Sequence, residues 1–239
     1  MATPMSNERF LDRWEAFKGE PQQVSGAWML CDAIRALEGG GPILDEQAPW
    51  ALKFSEPPAS VAPPLKIDGM IGPKAGPASY GFQAGDHHLV VNDRTQKCDI
   101  YDFAGKKLHT LDALARGQAG DTTYTIPNSD TPPGLYKFGA IYNDYAQVGA
   151  NPAYNSTLAS YGYCSFDMVS LDGAEEKAGR AGIMTHGGGS SLGWPGAWAA
   201  MQPLVPTLGC VRMHNSDLLN ILLPLTKKGT VFMSVYQEA

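Results

Sequence analysis

The chain has 239 residues, 44% of them hydrophobic and 18% charged. That is enough to bury a core, and this balance excludes an intrinsically disordered chain. A net charge of −6 without any basic cluster speaks against a nucleic-acid partner. With 27 glycines and 18 prolines the composition favours short strands and turns over long helices.

"SNERFLDRWEAF" sets Phe10, Leu11, Trp14 and Phe17 at helical spacing behind a Ser6 or Asn7 cap. "SGAWMLCDAIRALEGGG" repeats the pattern with Trp28, Cys31, Ile34, Arg35 and Leu37, and the glycine run from Gly39 ends it. These first residues are polar and charged, with no signal-peptide h-region. No stretch of the chain offers the ~20 apolar residues of a membrane span. From Pro42 to Pro77 the prolines recur too often for regular structure, so residues 1–84 read as a small helical region with a proline-rich linker. "DGMIGPKAGPASYGFQ" shares spacing with small helical peptidoglycan-binding repeats. However, Gly76, Pro77 and Gly81 fall where such a repeat is helical, and we read a turn leading into a strand.

Past Gly85 the period becomes two. "HHLVVNDRTQKCDIYDFAGKKLHTL" predicts three strands, and "TPPGLYKFGAIYND", "YGYCSFDMVSL" and "AGIMTHGGG" predict more. "NSDLLNILLPL" predicts a short capped helix halted at Pro224, and "GTVFMSV" a last strand. Residues 85–239 therefore form a mainly β domain.

Four cysteines, at positions 31, 98, 164 and 210, lack the paired spacing of a zinc site. Cys31, Cys98 and Cys164 fall on apolar faces and read as packing residues, with a Cys98–Cys164 disulfide possible outside the cytosol. His87 and His88 alternate faces of one strand and do not jointly suit one metal. Cys210 is different, since "PTLGCVRMHN" places it after a glycine. A thiol with a pKa near ~8.5 needs a nearby base to attack at neutral pH. Two histidines qualify by context: His186, which ends an apolar strand and opens onto glycines, and His214, four residues beyond Cys210.

"THGGG…PTLGCVRMHNSD" resembles the catalytic core of the L,D-transpeptidases, the YkuD-like family. The match takes in His186, Gly187, Thr207, Gly209, Cys210, Val211 and Arg212. "TPPGLYKF" resembles that family's Thr-Pro-x-Gly-x-Tyr/Phe strand, and residues 86–239 carry the elements in the same order. The resemblance implies an L,D-transpeptidase-like β-sandwich or barrel with a short C-terminal helix. It implies Cys210 as nucleophile, His186 as its base, and the Gly187 carbonyl as the group orienting the imidazole. Backbone N–H groups at Gly209 and Cys210 would hold the oxyanion. Thr207, Leu208 and Arg212 would support the site, Arg212 through a carboxylate or a structural ion pair. Leu208 stands where the family has a histidine. The His186–Cys210 loop is longer than usual for the family; in it Gly188 would let a substrate approach, and Trp194 and Trp198 would either cover a bound stem peptide or pin the loop to the sheet.

By that resemblance the expected activity is acyl transfer on peptidoglycan stem peptides. D-alanine leaves, a Cys210 thioester forms, and an amine resolves it to a 3-3 cross-link. No metal or other cofactor is implied, nor a nucleic-acid partner or membrane span. Carbapenems are expected to acylate the thiol. Resolution by water or a free D-amino acid would make an L,D-carboxypeptidase or exchange enzyme, possibly a secreted antibacterial effector. An inactive peptidoglycan-binding protein is the second alternative. Action in the periplasm or cell wall follows, with delivery by another route or from a trimmed chain, since no signal peptide is visible.

Overall fold

A computed structural model describes residues 65–119, 124–144, 156–189 and 196–238. The two helices expected before Pro42, most of the proline-rich stretch, and Trp194 lie outside these residues. Nine strands form one sheet: β1 (Met70–Ile71), β2 (His87–Asn92), β3 (Lys97–Asp102), β4 (Lys107–Leu114), β5 (Gly134–Tyr142), β6 (Ser165–Ser170), β7 (Met184–His186), β8 (Val211–Met213) and β9 (Val231–Glu238). The order β9-β2-β3-β4-β8-β7-β6-β5 closes on itself because β5 also pairs with β9, giving an eight-stranded barrel with β1 attached to β9. Closure leaves no open edge among the eight. The protein is mainly β with a short C-terminal helix, the class that the period-two patterning predicts.

Strand periodicity decides what the barrel encloses. Leu89 and Val91, Cys98 and Ile100, Phe166 and Met168, Val211 and Met213, and Met233 and Val235 all belong to one buried cluster. Phe138 and Phe166 stack within it at 4.7 Å between ring centres. Residues of the opposite parity point out of the barrel. On β2 and β9 they meet a second, smaller layer, in which Phe82 packs edge-on against Phe232 at 5.6 Å. Segments before position 85 thus contribute to the sheet and its outer cover, through β1 and Phe82. The stretch 68–83 forms a turn, β1 and a single 3-10 turn (Pro77–Tyr80).

Two short helices, α1 (Ser156–Tyr161) and α2 (Ala174–Ala178), sit in connections between strands. The C-terminal helical segment differs from expectation. It runs through Asn215–Asp217, a π-helical turn at Leu218–Leu222, and Leu223–Thr226, so Pro224 does not halt it. The wider π turn shifts the carbonyls that a proline ring would otherwise strike and that its missing N–H would leave unpaired. Leu218, Leu222 and Leu225 join the barrel's core cluster. Among the described residues no helix is long and apolar enough to cross a membrane.

Candidate active site

The site follows from the same parity rule. β7 and β8 run parallel, with Thr185 opposite Val211 and His186 opposite Arg212. Val211 and Thr185 are fully buried on the inner face, where the Thr185 hydroxyl meets the sulfurs of Met168 and Met233. His186, Arg212 and Cys210 therefore share the outer face. The register sets Cys210 beside Met184, two residues before His186, an offset of ~6.6 Å along adjacent strands. The thiol's hydrogen bond is with the Met184 backbone. Imidazole and thiol thus lie on one face, offset along it.

His186 Nδ1 lies 2.8 Å from the Gly187 carbonyl oxygen. A carbonyl only accepts, so Nδ1 carries the proton and Nε2 keeps its lone pair. The Tyr161 ring stands edge-on to the imidazole at 5.1 Å. The Gly187 oxygen also accepts from Arg212 Nη1 at 2.8 Å. Arg212 Nη1 donates to the Gly188 carbonyl as well, and Nε donates to Val205 O at 2.8 Å. Arg212 is 1% exposed, yet its partners are neutral carbonyl oxygens. The carboxylate expected for it is not found among the described residues, because the glycine turn presents enough acceptors to satisfy the fork.

Burial holds the His186 pKa down, to about 3, with the Arg212 charge adding to the effect and the Gly187 hydrogen bond opposing it. Burial pushes the Cys210 thiol up, against the pull of the Met184 hydrogen bond and the charges of Arg212 and Arg180. The resting pair is therefore neutral imidazole and neutral thiol. Arg212, lowered to about 10 by burial, stays charged at neutral pH.

Asn215 explains the run of glycines. Its Oδ1 accepts the Gly188 N–H at 2.9 Å, and its Nδ2 donates to the Ala197 and Ala199 carbonyls at 2.9 and 2.7 Å. A Cβ on Gly187 would lie 1.9 Å from that Oδ1. Gly188 is enclosed on its far side by Gly162 and the carbonyl end of α1, 2.7 Å from where its Cβ would be. Both glycines are packed closely by neighbouring protein.

The Cys210 turn is closed by Thr207, whose Oγ1 accepts the Gly209 N–H at 2.9 Å and donates to the Cys210 carbonyl at 2.8 Å. The Gly209 amide expected to face an oxyanion is thereby engaged, which leaves the Cys210 amide as the backbone donor of the turn. Leu208 is 60% exposed at the rim. Trp198 is half-buried in the loop before the turn. His214 is turned elsewhere: Nδ1 lies 3.0 Å from the Gln202 carbonyl oxygen and Nε2 3.6 Å from Asp112. Cys98 and Cys164 are free, buried thiols with no disulfide between them, Cys164 pushed up to about 12 by burial and Cys98 higher still. Among the described residues no group of three His, Cys, Asp or Glu side chains is placed to hold a metal ion.

Sequence reasoning missed three residues here. Asn215 reads as a helix cap, but its side chain clamps the glycine turn instead. Gln202 bonds to the Met213 carbonyl and the Asn215 N–H, carrying the loop across β8. Arg180 lies in no motif at all.

No protein-family model matches the chain, and no curated protein sequence matches it. Among solved structures it is similar to Bdellovibrio bacteriovorus Bd1075, at 15% identity and a TM-score of 0.42, over 63% of this chain and 49% of that one. It is also similar to Mycobacterium tuberculosis L,D-transpeptidase 1, at 12% identity and a TM-score of 0.32, over 63% and 62%. The match therefore spans about half the length of the Bdellovibrio chain.

Proposed function

We propose that this protein is a cysteine acyl-transferase acting on peptidoglycan stem peptides. The observation that carries the reading is the shared outer face of β7 and β8. There Cys210 shares a face with an imidazole whose Nδ1–H is tied to the Gly187 carbonyl, which leaves Nε2 as a base. The motif resemblance supplies the substrate class.

In this mechanism His186 Nε2 takes the thiol proton as Cys210 Sγ bonds to the carbonyl carbon before the terminal D-alanine. Because both groups rest neutral, the proton moves during attack rather than before it. The Cys210 amide donates to the oxygen that gains charge. Collapse expels D-alanine, whose nitrogen receives the proton from His186. An incoming amine then attacks the thioester, His186 takes its proton, and the thiol is restored. The imidazolium formed between these steps is opposed by Arg212, which favours rapid return of the proton. The expected site of action is the periplasm or cell wall.

Intact-protein mass spectrometry with a carbapenem tests the nucleophile. A single adduct on wild type and none on Cys210→Ala is expected; no adduct on wild type would sink the reading. With a disaccharide-tetrapeptide, cross-linked dimers would mark an amine acceptor, and tripeptide would mark water.

A further inference from the structure

We infer that Arg180 is a positioning residue for the Cys210 turn, holding it in place and lending positive charge to the thiol. The inference rests on Cys210 being the nucleophile.

Arg180 follows α2, and its own N–H is fastened to the Glu175 carbonyl at 2.8 Å. From there its guanidinium bridges two loops. Nη1 donates to Ser129 Oγ at 2.7 Å and to the Ile126 and Tyr124 carbonyls at 3.2 and 3.3 Å. Nη2 donates to the Leu208 carbonyl at 2.7 Å. Ser129 is fully buried and donates its own hydroxyl to Ile126, so the anchoring side is rigid. The other side presses on the residue before the nucleophile. A Cβ on Gly209 would lie 1.9 Å from Nη2 and 3.0 Å from Cζ. Gly209 has a φ of +118°, a conformation that residues with a side chain rarely adopt. Two independent constraints therefore exclude a side chain at position 209, and one of them is the guanidinium itself.

Every hydrogen-bond partner of this guanidinium is a neutral oxygen, and among the described residues no carboxylate pairs with it. A structural arginine is commonly neutralised by an acid. This one has no carboxylate hydrogen-bonded to it at the turn, and the Glu175 carboxylate acts on it only through its field. The charged groups bearing on the thiol are Arg212, Arg180 and Glu175. Glu175 acts in the opposite sense, and its Oε1 is occupied by the Ile183 N–H at 3.1 Å.

The test is the pH profile of iodoacetamide alkylation at Cys210, read by peptide mass spectrometry on the full chain. It needs no peptidoglycan and is independent of the proposed substrate. Arg180→Gln should raise the apparent thiol pKa by about one unit and slow alkylation near neutral pH about tenfold. Arg180→Lys should stay within about threefold of wild type, since it keeps the charge at lower geometric precision. Ser129→Ala loosens the anchor while keeping the charge, and should shift the profile less than Arg180→Gln does. A Gln variant that alkylates like wild type at every pH overturns the inference. So does equal acceleration in the Gln and Lys variants, which would mean that the side chain only plugs the turn. If the profile shifts as expected while wild type takes no carbapenem, the acyl-transferase reading fails, and what stands is that Arg180 tunes a reactive thiol at Cys210.

Discussion

Two histidines in the barrel wall look alike and differ in what surrounds them. His88 in β2 and His186 at the end of β7 both point out of the barrel, both are nearly fully buried, and burial lowers the pKa of both, to about 4 and about 3. His88 lies under the edge of Phe82, with Nε2 2.8 Å from the Ser234 hydroxyl. Among the described residues its neighbours there are the Phe82 ring and the Ser234 hydroxyl. His186 instead gives its Nδ1 to a carbonyl that Arg212 also holds, and it shares a face with Cys210. Burial and a lowered pKa therefore do not distinguish a catalytic histidine from a packed one. The separating features are a fixed tautomer that leaves Nε2 free and a nucleophile on the same face.

The largest effect expected from this contrast is in acylation. His186→Ala should slow carbapenem acylation of Cys210 by about 10²–10⁴-fold, the usual worth of a positioned base. His88→Gln and His214→Ala should each stay within a few-fold of wild type. Stopped-flow fluorescence or timed mass spectrometry would measure it. A His214→Ala loss as large as that of His186→Ala would mean that the imidazole facing Asp112 is the base.

The parity that separates these surroundings is legible in the sequence. Period-two patterning in "HHLVV", "KCDIYDF" and "TVFMSV" identifies the strands and their inner faces, and "TH" followed by glycines marks a strand end. Barrel closure is not legible, because the pairings β2–β9, β5–β9 and β4–β8 join segments far apart in the chain. For the same reason the pattern could set His186 at a strand end but predicted no strand next to Cys210, which stands just before β8. The roles of Asn215 and Arg180 were hidden more deeply. Each acts through backbone atoms of other loops, and a side chain that binds backbone leaves no complementary residue type to find. Asn215 follows His214 at a helix start, where asparagine ordinarily caps. Its side chain is drawn away by a glycine turn that local spacing does not bring near it.

That clamp is present around His186 and absent around His88, which gives the second test. Asn215→Ala would strand the buried Gly188 N–H and Ala197 carbonyl, and release the Ala199 carbonyl at an exposed position. Each orphaned group costs ~1–3 kcal/mol, partly relieved by relaxation, so a loss of roughly 2–4 kcal/mol is expected in urea unfolding. Acylation should fall as well, since the Gly187 carbonyl that orients His186 belongs to the same turn. Asn215→Asp retains the acceptor for Gly188 but not the two donors, and should fall between. Full stability in Asn215→Ala would mean that water replaces the amide, and the glycine turn would then be held by Arg212 and by its N–H bonds to the Tyr161 and Ala159 carbonyls.

The last effect reaches both histidines together. Each titrates near 6.5 when exposed in the unfolded chain, and near 4 or 3 in the fold. Below pH 6.5 the unfolded chain binds protons that the folded one refuses. Stability is therefore complete above that pH and falls as the solution is acidified. The loss approaches ~1.4 kcal/mol per pH unit for each histidine, ending near pH 4 for His88 and near pH 3 for His186. His87, displaced in the same direction, contributes to wild type and variant alike. His88→Gln removes one of these protons without touching the face that carries His186 and Cys210. Its urea midpoint should start lower than wild type near neutrality, through a less well-packed contact with Ser234 and Phe82. The two curves should then converge as the pH drops from about 6.5 to about 4, because wild type has more to lose. Parallel curves would show that His88 takes up its proton within the fold as readily as in the unfolded chain. The Ser234 pocket would then be wet, and the likeness between the two histidines would end at their shared position in the wall.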